Sequence, residues 1–371
     1  MPGPVQGLFV DPEAARVHVS LEPVYNAFES LVLLHRPEAM PGLDDWVTRT
    51  AATLTPDERE RHHLVFIGLY YAVRPDGDWP SFPAYIDHLA SLDPSALRDR
   101  MLQLYARVRR EEGVTRPTMQ DVPVPVDLRA ILTSPEAYIG FLRERFGPDA
   151  VEPDLERQAY TYVVDPPAMQ ALIVSQLREM WDTYLAPEWA RVRPMLEDAV
   201  RAFGQLDLTG KSDLEGARLI TGQELTEEAW APMLERAEQV IFVPSAHIGP
   251  YLGQLRGEGV LRIVFGARLP EGVSYAAPDL SRAELLVRLN ALADNNRLRI
   301  LQQISERGEQ SSQEIIANVQ LSQPTVSRHL KQLAATGYLL ERRHNSAKYY
   351  RLNPERIQAT LRALEAFLLG G

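Results

Sequence analysis

The sequence predicts a mainly α protein: a large N-terminal helical domain with a small α+β part, followed by a C-terminal module of short helices closed by a β-hairpin. Three observations carry this prediction. Most of residues 1–205 divides into segments with helical spacing, and several of them open on Ser, Thr or Asp followed by Pro. Two apolar, β-branched runs, Gln239–Ser245 and Leu261–Gly266, stand between Gly and Pro within 206–278. Ser312–Tyr338 reads as two short helices with a tight link, the second opening on small polar side chains.

A chain of 371 residues exceeds one ordinary core. The expected parts are 1–205, a helical sensor or dimerisation region; 206–278, the α+β part packed on it; and 281–371, the C-terminal module. With 45% hydrophobic and 24% charged residues, the composition is that of a globular protein. Met1–Gly7 lacks a basic start followed by an apolar run. The longest apolar stretch, near Leu64–Val73, is far short of the roughly 20 residues of a spanning helix. A cytoplasmic location and no membrane partner are the expectation. The chain has no cysteine, which excludes disulfides, thiolate metal sites and thiol redox sensing.

The net charge of −11 argues against nucleic acid until it is divided. Residues 281–371 hold 13 basic and 8 acidic side chains, a local +5, and the other 26 basic and 42 acidic residues leave −16. Fields are screened beyond about 10 Å at moderate salt, so the local charge decides what the C-terminal module attracts. A basic module on an acidic body suits a DNA-binding unit attached to something else.

In chain order, a β-like run at Arg16–Ser20 precedes a helix from Glu22-Pro23. Further helices fit Leu43–Leu54, Pro56–Val73, Ser81–Ser91, Pro94–Glu112, Ser134–Phe146, Pro166–Leu185 and Pro187–Gly204. Arg116–Asp127, with three prolines, is a connector. Asp207–Gly210 and Arg218–Thr221 are weaker strand candidates, and Tyr275–Asp279 reads as a linker.

The C-terminal module begins with a helix from Leu280 to Ala293. A second starts at Asp294 and carries Leu298, Leu301 and Ile304. Gly308 ends it. Ser312 can cap a short helix with Ile315, Ile316 and Val319. Ser322 can cap the next, with Pro324 in its first turn, where no backbone donor is lost. There Val326, Leu330 and Leu333 fall at i, i+4 and i+7 and face a core. Ser322, Gln323, Thr325, Ser327, Arg328, Lys331 and Gln332 lie on or beside the other face, where amide, hydroxyl and guanidinium groups can meet base edges and phosphates. Tyr338–Arg343 and Lys348–Leu352 form a hairpin with Arg342, Arg343, His344 and Lys348 at or near its tip. A basic hairpin beside such a helix is a wing suited to phosphates or the minor groove. A last helix, Pro354–Leu369, puts Ile357, Leu361, Leu364 and Leu368 on one face.

The segments Ala291–Leu301, Leu321–Leu333, Gly337–Leu339 and Lys348–Leu352 resemble, in the same order, the ArsR family of winged helix-turn-helix repressors. The resemblance covers about a quarter of the chain. It implies a transcriptional repressor that acts as a homodimer on an operator in double-stranded DNA. It also implies a dimer seam built from Leu285, Leu289, Leu292, Ile357, Leu361, Leu364 and Leu368. Metal-sensing members use a Cys-x-Cys pair on the first helix of the motif, or His, Asp and Glu on the last helix. Here the first site reads Ser312-Gln-Glu-Ile-Ile, and the last helix offers Glu355 and Glu365 without histidine. Transition metals need softer, convergent ligands, so no metal is expected at the family's usual sites.

Other features point to ordinary packing. His62-His63 sits on a charged stretch and reads as a solvated helix, because adjacent helical positions do not share a face. His247, between the two strongest strands, reads as part of a hairpin turn or a pocket wall. Met169, Ile173, Leu177, Met180 and Trp181 follow helical spacing, as in a helix–helix core or an apolar pocket. No nucleotide-binding, nucleophile-elbow or zinc-protease motif occurs, so neither catalytic residues nor a cofactor are expected. The resulting expectation is a cytoplasmic regulator that binds an inverted repeat, with a non-metal sensor or a dimerisation domain in the N-terminal region and, where that region is a sensor, a small-molecule effector of unspecified identity. An enzyme or partner-binding protein that uses a winged helix as tether or dimerisation module is the alternative.

Overall fold

The computed structural model describes residues 16–109, 118–119, 125, 127–257, 259–268, 282–319, 321–344 and 347–369. The linker at Tyr275–Asp279 and most of the connector Arg116–Asp127 lie outside the described residues. So do Met1–Gly7 and the hairpin residues Asn345 and Ser346.

Proline-led caps shape the N-terminal helices, as their sequences require. Phe82–Ser91, Pro94–Ala106, Pro135–Phe146 and Pro166–Met180 each start behind a Ser or Asp whose side chain accepts a backbone N–H three residues on. Thr55 and Glu58 form a full capping box on Pro56–His63. The expected single helix Pro56–Val73 is divided by a π-helical turn at Leu64–Gly68 and resumes at Tyr70–Val73. The helix Pro94–Ala106 stops short of the predicted Glu112, because Val108–Arg109 pairs with Thr118–Met119. A further helix spans Pro153–Val163, outside the predicted ones; its N-cap Glu152 makes no side-chain cap.

Four strands in the order Val17–Val19, Gln239–Ser245, Val260–Gly266, Leu252–Gly257 form the main sheet. The first three are mutually parallel, and Leu252–Gly257 is antiparallel to its neighbour. The two strongest strands are therefore not a hairpin joined at His247. A short turn cannot connect parallel neighbours. Instead the chain passes over the end of the central strand to the far edge and returns through Gly259, at φ +78°. That crossing is close: a Cβ at Gly266 would lie 2.4 Å from the Gly249 carbonyl oxygen. The edge strand Leu-Gly-Gln-Leu-Arg-Gly has poor β-propensity, which hid it from periodicity.

Both faces of this sheet are covered, which explains the unbroken apolar runs. Val240, Phe242, Leu261, Ile263 and Phe265 pack on Phe203, Ala217, Ile220 and Leu234. Ile241, Val243 and Val264 join the large helical core. The segment 218–221, considered as a strand, ends the helix Asp213–Thr221, where the Ser212–Glu215 capping box outweighs the β-branched tail. Residues 207–210 form a loop, and a further helix spans Glu227–Glu235.

The C-terminal module has its own core of Ile300, Ile304, Ile315, Val326, Leu330, Leu333, Tyr338 and Tyr350. Its helices are Arg282–Leu292, Asn295–Arg307, Ser312–Val319, Gln323–Ala335 and Pro354–Leu369. The hairpin pairs Leu339–His344 with Ala347–Leu352, and Gln310–Ser311 adds a third strand. Ser311 rather than Ser312 caps the short helix: its hydroxyl accepts Glu314 N–H, and Glu314 reaches back to the Ser311 N–H at 2.7 Å.

Candidate nucleic-acid interface

The helix Gln323–Ala335 has two environments along its length. Val326, Leu330 and Leu333 are buried, as the i, i+4, i+7 spacing requires. At its start Ser322, Gln323, Ser327 and Arg328 are exposed and Thr325 is half-buried. Ser322 occupies the N-cap position but makes no backbone cap; its hydroxyl hydrogen-bonds the Thr325 hydroxyl at 2.8 Å. Pro324 stands in the first turn, as expected. Gly337, at φ +79°, turns the chain out of the helix toward the hairpin.

Toward its end the same helix meets the N-terminal region. Lys331 Nζ lies 5.3 Å from the Tyr251 ring centroid. Gln332, expected on the outward face, is 1% exposed. It lies beside Gly42, where a Cβ would begin 3.3 Å from its Nε2. Ala335 packs on the large helical core. Helical periodicity sorts faces only against the helix's own domain, so a second domain arriving from outside could not be read from it.

The wing carries its basic groups partly paired. Arg342 donates to both Glu309 oxygens, at 2.7 and 2.5 Å, and stacks on Tyr349 at 5.0 Å. The hydrogen bond from Arg342 lowers the Glu309 carboxyl pKa. Lys348 Nζ is 2.7 Å from Glu341. Arg343 and His344 pair by backbone with Lys348 and Ala347, while their side chains lie outside the described residues. His329 is half-buried, and burial lowers its basicity.

The residues expected in a dimer seam separate into two sets. Leu285 is buried within the chain, Leu289 is half-buried, and Leu292 and Ile357 pack on the module's own core. On the last helix Leu364 is half-buried, while Leu361 and Leu368 are exposed beside an exposed Phe367.

The histidines also find places. His62 is buried rather than solvated: it hydrogen-bonds the Leu31 carbonyl at 2.9 Å and stacks on Phe66 at 4.4 Å, and burial pushes its pKa down to about 4. The charged residues around it gave no sign of this. His247 stands in the crossing segment, stacked on Trp46 at 4.5 Å. Its Nδ1 hydrogen-bonds Ser30 Oγ at 2.7 Å and its Nε2 hydrogen-bonds Glu188 at 3.0 Å. Asp44, Glu188 and His247 bring potential ligand atoms within 4.8 Å of one another. However, both His247 nitrogens are engaged, and Arg191 donates to both oxygens of Glu188 at 2.8 and 2.6 Å. Burial opposes the Glu188 charge, but His247 and Arg191 prevail and bring its pKa to about 2. Ser30 is mid-helix, 1% exposed and bonded to Asn26 O, so this row of Ser, His and Glu is a structural network. Met169, Ile173, Leu177 and Met180 are all in the helical core.

The model for bacterial regulatory proteins of the arsR family matches residues 294–339, the segment from the Asp294 cap through the helix Gln323–Ala335 to the first hairpin strand. Arsenic resistance transcriptional regulator ArsR2 of Pseudomonas putida is 40% identical over 85 residues, 21% of this chain and 74% of that protein. ArsR1 of the same organism is 45% identical over 64 residues, 17% of this chain and 50% of that protein. The arsenical resistance operon repressor of Escherichia coli is 41% identical over 63 residues, 17% of this chain and 54% of that protein. The chain thus spans about half the length of two of these relatives and about three quarters of the third. A solved structure of a possible transcriptional regulatory protein (fragment 1–100) from Mycobacterium bovis is 25% identical, covering 22% of this chain and 88% of that one at a TM-score of 0.20. The order of helices, the exposed polar start of Gln323–Ala335, the paired hairpin, the family model and the Pseudomonas putida ArsR2 match agree: the chain belongs to the arsR family of bacterial regulatory proteins, carried in its C-terminal module.

Proposed function

We propose that this protein is a DNA-binding transcriptional regulator, a repressor, that acts as a homodimer on an inverted-repeat operator. The observation that carries the reading is the exposed Ser322, Gln323, Ser327 and Arg328 at the start of a helix whose other face is locked into a core. Those positions are where a recognition helix meets base edges in the major groove. The local charge of residues 281–371 supplies the attraction to phosphate. A second copy of the chain would cover Leu361, Phe367 and Leu368, and would set half-sites about one helical turn, 10–10.5 bp, or a multiple apart.

The relatives named for arsenic resistance do not set the input here. This chain has no cysteine, so it lacks the thiolates that arsenic or soft metals would require. The N-terminal region acts instead as a non-metal sensor whose contact with the recognition helix conveys its state. Gel shifts of the full chain and of a chain lacking residues 281–371, on operator and on random DNA, test the reading. Sequence-specific binding by the full chain alone is the expected result, and specific binding by the shortened chain would refute it.

A further inference from the structure

Among the described residues, three segments of the N-terminal region hold one end of the recognition helix. Gly42 lies against Gln332, where a Cβ would begin 3.3 Å from Nε2. The Tyr251 ring lies 5.3 Å from Lys331 Nζ. Gly222, at the end of the helix Asp213–Thr221, accepts a hydrogen bond from Arg356. Arg356 in turn packs on Gly337, the turn that leaves the recognition helix: a Cβ there would sit 2.5 Å from its Nε. Between these contacts Ala335 packs on the large helical core.

The held end is continuous with the base-reading end. Ser327 and Lys331 stand at i and i+4, as do Arg328 and Gln332, so each pair shares a face one turn, about 5.4 Å, apart. The major groove is about 8.5 Å deep. A helix that inserts Ser327 and Arg328 to reach base edges therefore brings the phosphate wall of the groove level with Lys331 and Gln332. In this structure Tyr251 and the turn at Gly42 fill that place. The Lys331 ammonium cannot lie over a tyrosine ring and on a phosphate at once. Charge acts in the same direction. The residues outside 281–371 carry a net −16, which repels phosphate brought against them. Arg342 on the wing is held above its ordinary pKa by its hydrogen bond to Glu309 and, with smaller effect, by the charge of Glu228, exposed on the helix Glu227–Glu235.

The docked contact also carries a cost. Gln332 is 1% exposed, and its Oε1 has no hydrogen-bond partner among the described residues. A carbonyl oxygen buried without a donor costs free energy that separation returns, because water then satisfies it. Docked and separated arrangements are thereby brought closer in free energy, and a ligand that favours one of them shifts the balance.

We propose that this structure is the autoinhibited form, in which the N-terminal region and DNA compete for the same end of the recognition helix, and that DNA binds once the two regions separate. The inference rests on the reading of the C-terminal module as DNA-binding and adds the regulation of that site.

The absence of cysteine allows a direct test. Met195, in the N-terminal region, and Leu286, in the module, line the cleft between the two and are 44% and 57% exposed; neither belongs to the recognition helix or the wing. In the full chain carrying Met195→Cys and Leu286→Cys, a disulfide-containing bis-maleimide joins the two regions within one chain, and a reductant releases them. Fluorescence anisotropy then follows binding to a duplex selected from a random-sequence pool and to random-sequence duplex. The expected result is that the linked chain binds both at least about tenfold more weakly than the same chain after reduction. Glu228→Gln should raise affinity about twofold at low salt, with the gain lost at high salt, while Glu136→Gln, which removes an equal charge from the helix Pro135–Phe146, should leave it unchanged. Equal affinity of the linked and released chain, or equal gains from the two glutamine variants, would overturn the proposal. Absence of binding to either duplex in both states is a different outcome: it refutes the DNA-binding reading, and the autoinhibition with it.

Discussion

The Lys331 ammonium on the recognition helix lies over the Tyr251 ring on the N-terminal region, 5.3 Å from its centroid. The Tyr251 hydroxyl in turn donates to Pro41 O at 2.8 Å. One residue further along the helix, Gln332 is covered by the turn that contains Gly42. The two contacts connect a helix suited to DNA with two neighbouring turns of the N-terminal region, the Tyr251 one also carrying His247.

Tyr251→Leu keeps apolar volume and removes both the ring and the hydroxyl. A cation–π contact of about 0.5–1 kcal/mol corresponds to a two- to fivefold shift. Operator affinity should rise by roughly that factor, and amide exchange at Gln332–Thr336 should quicken. An unchanged affinity together with unchanged exchange would show that the contact does not restrain the helix.

Arg328→Ala distinguishes base reading from phosphate contact. A bidentate base contact is worth about 1–3 kcal/mol of discrimination. Binding to the operator should fall more than binding to random DNA. An equal loss on both would assign Arg328 to the backbone.

The exposed Leu361 and Leu368 should hold the second copy. The double change Leu361→Glu with Leu368→Glu should yield monomers in sedimentation velocity and reduce operator binding, with little change in the circular dichroism spectrum. A dimer that survives both charges would place the seam elsewhere.

Glu156 is buried, with Oε2 lacking a protein hydrogen-bond partner, and burial raises its pKa to about 8. Its ordinary value is 4.5, so between pH 4.5 and 8 the folded state holds more protons than the unfolded one. Stability from this group therefore falls as pH rises through that window. Glu156→Gln should raise the melting temperature at pH 8 more than at pH 5. An equal effect at both pH values would mean that the carboxyl does not titrate in this way.

Glu188 works in the opposite direction. Its pKa of about 2 lies below the ordinary 4.5, so its contribution is present above pH 4.5 and is lost as pH falls toward 2. Glu188→Gln removes one side of a buried pair and should cost on the order of 3 kcal/mol near neutral pH. The loss should shrink as the medium is acidified through that window. A variant as stable as the parent at pH 7 would contradict the network described around His247.

By itself, the sequence determined the local features: the Ser, Thr and Asp caps of the N-terminal helices, the apolar face Val326, Leu330 and Leu333, the hairpin strands, and the polar opening of the recognition helix, while the caps expected at Ser312 and Ser322 did not form. These depend on residues within a few turns of one another, where cap chemistry and periodicity act directly. Membership of the arsR family was legible for the same reason, since its signature is local and continuous. Tertiary structure alone decided the strand order, the burial of His62, and the row from Ser30 through His247 to Glu188. It also decided the docking of Lys331 and Gln332. Each of these joins groups far apart in the chain, and spacing along a sequence records only which face a residue shares with its neighbours. What meets that face is set by how the rest of the chain closes over it.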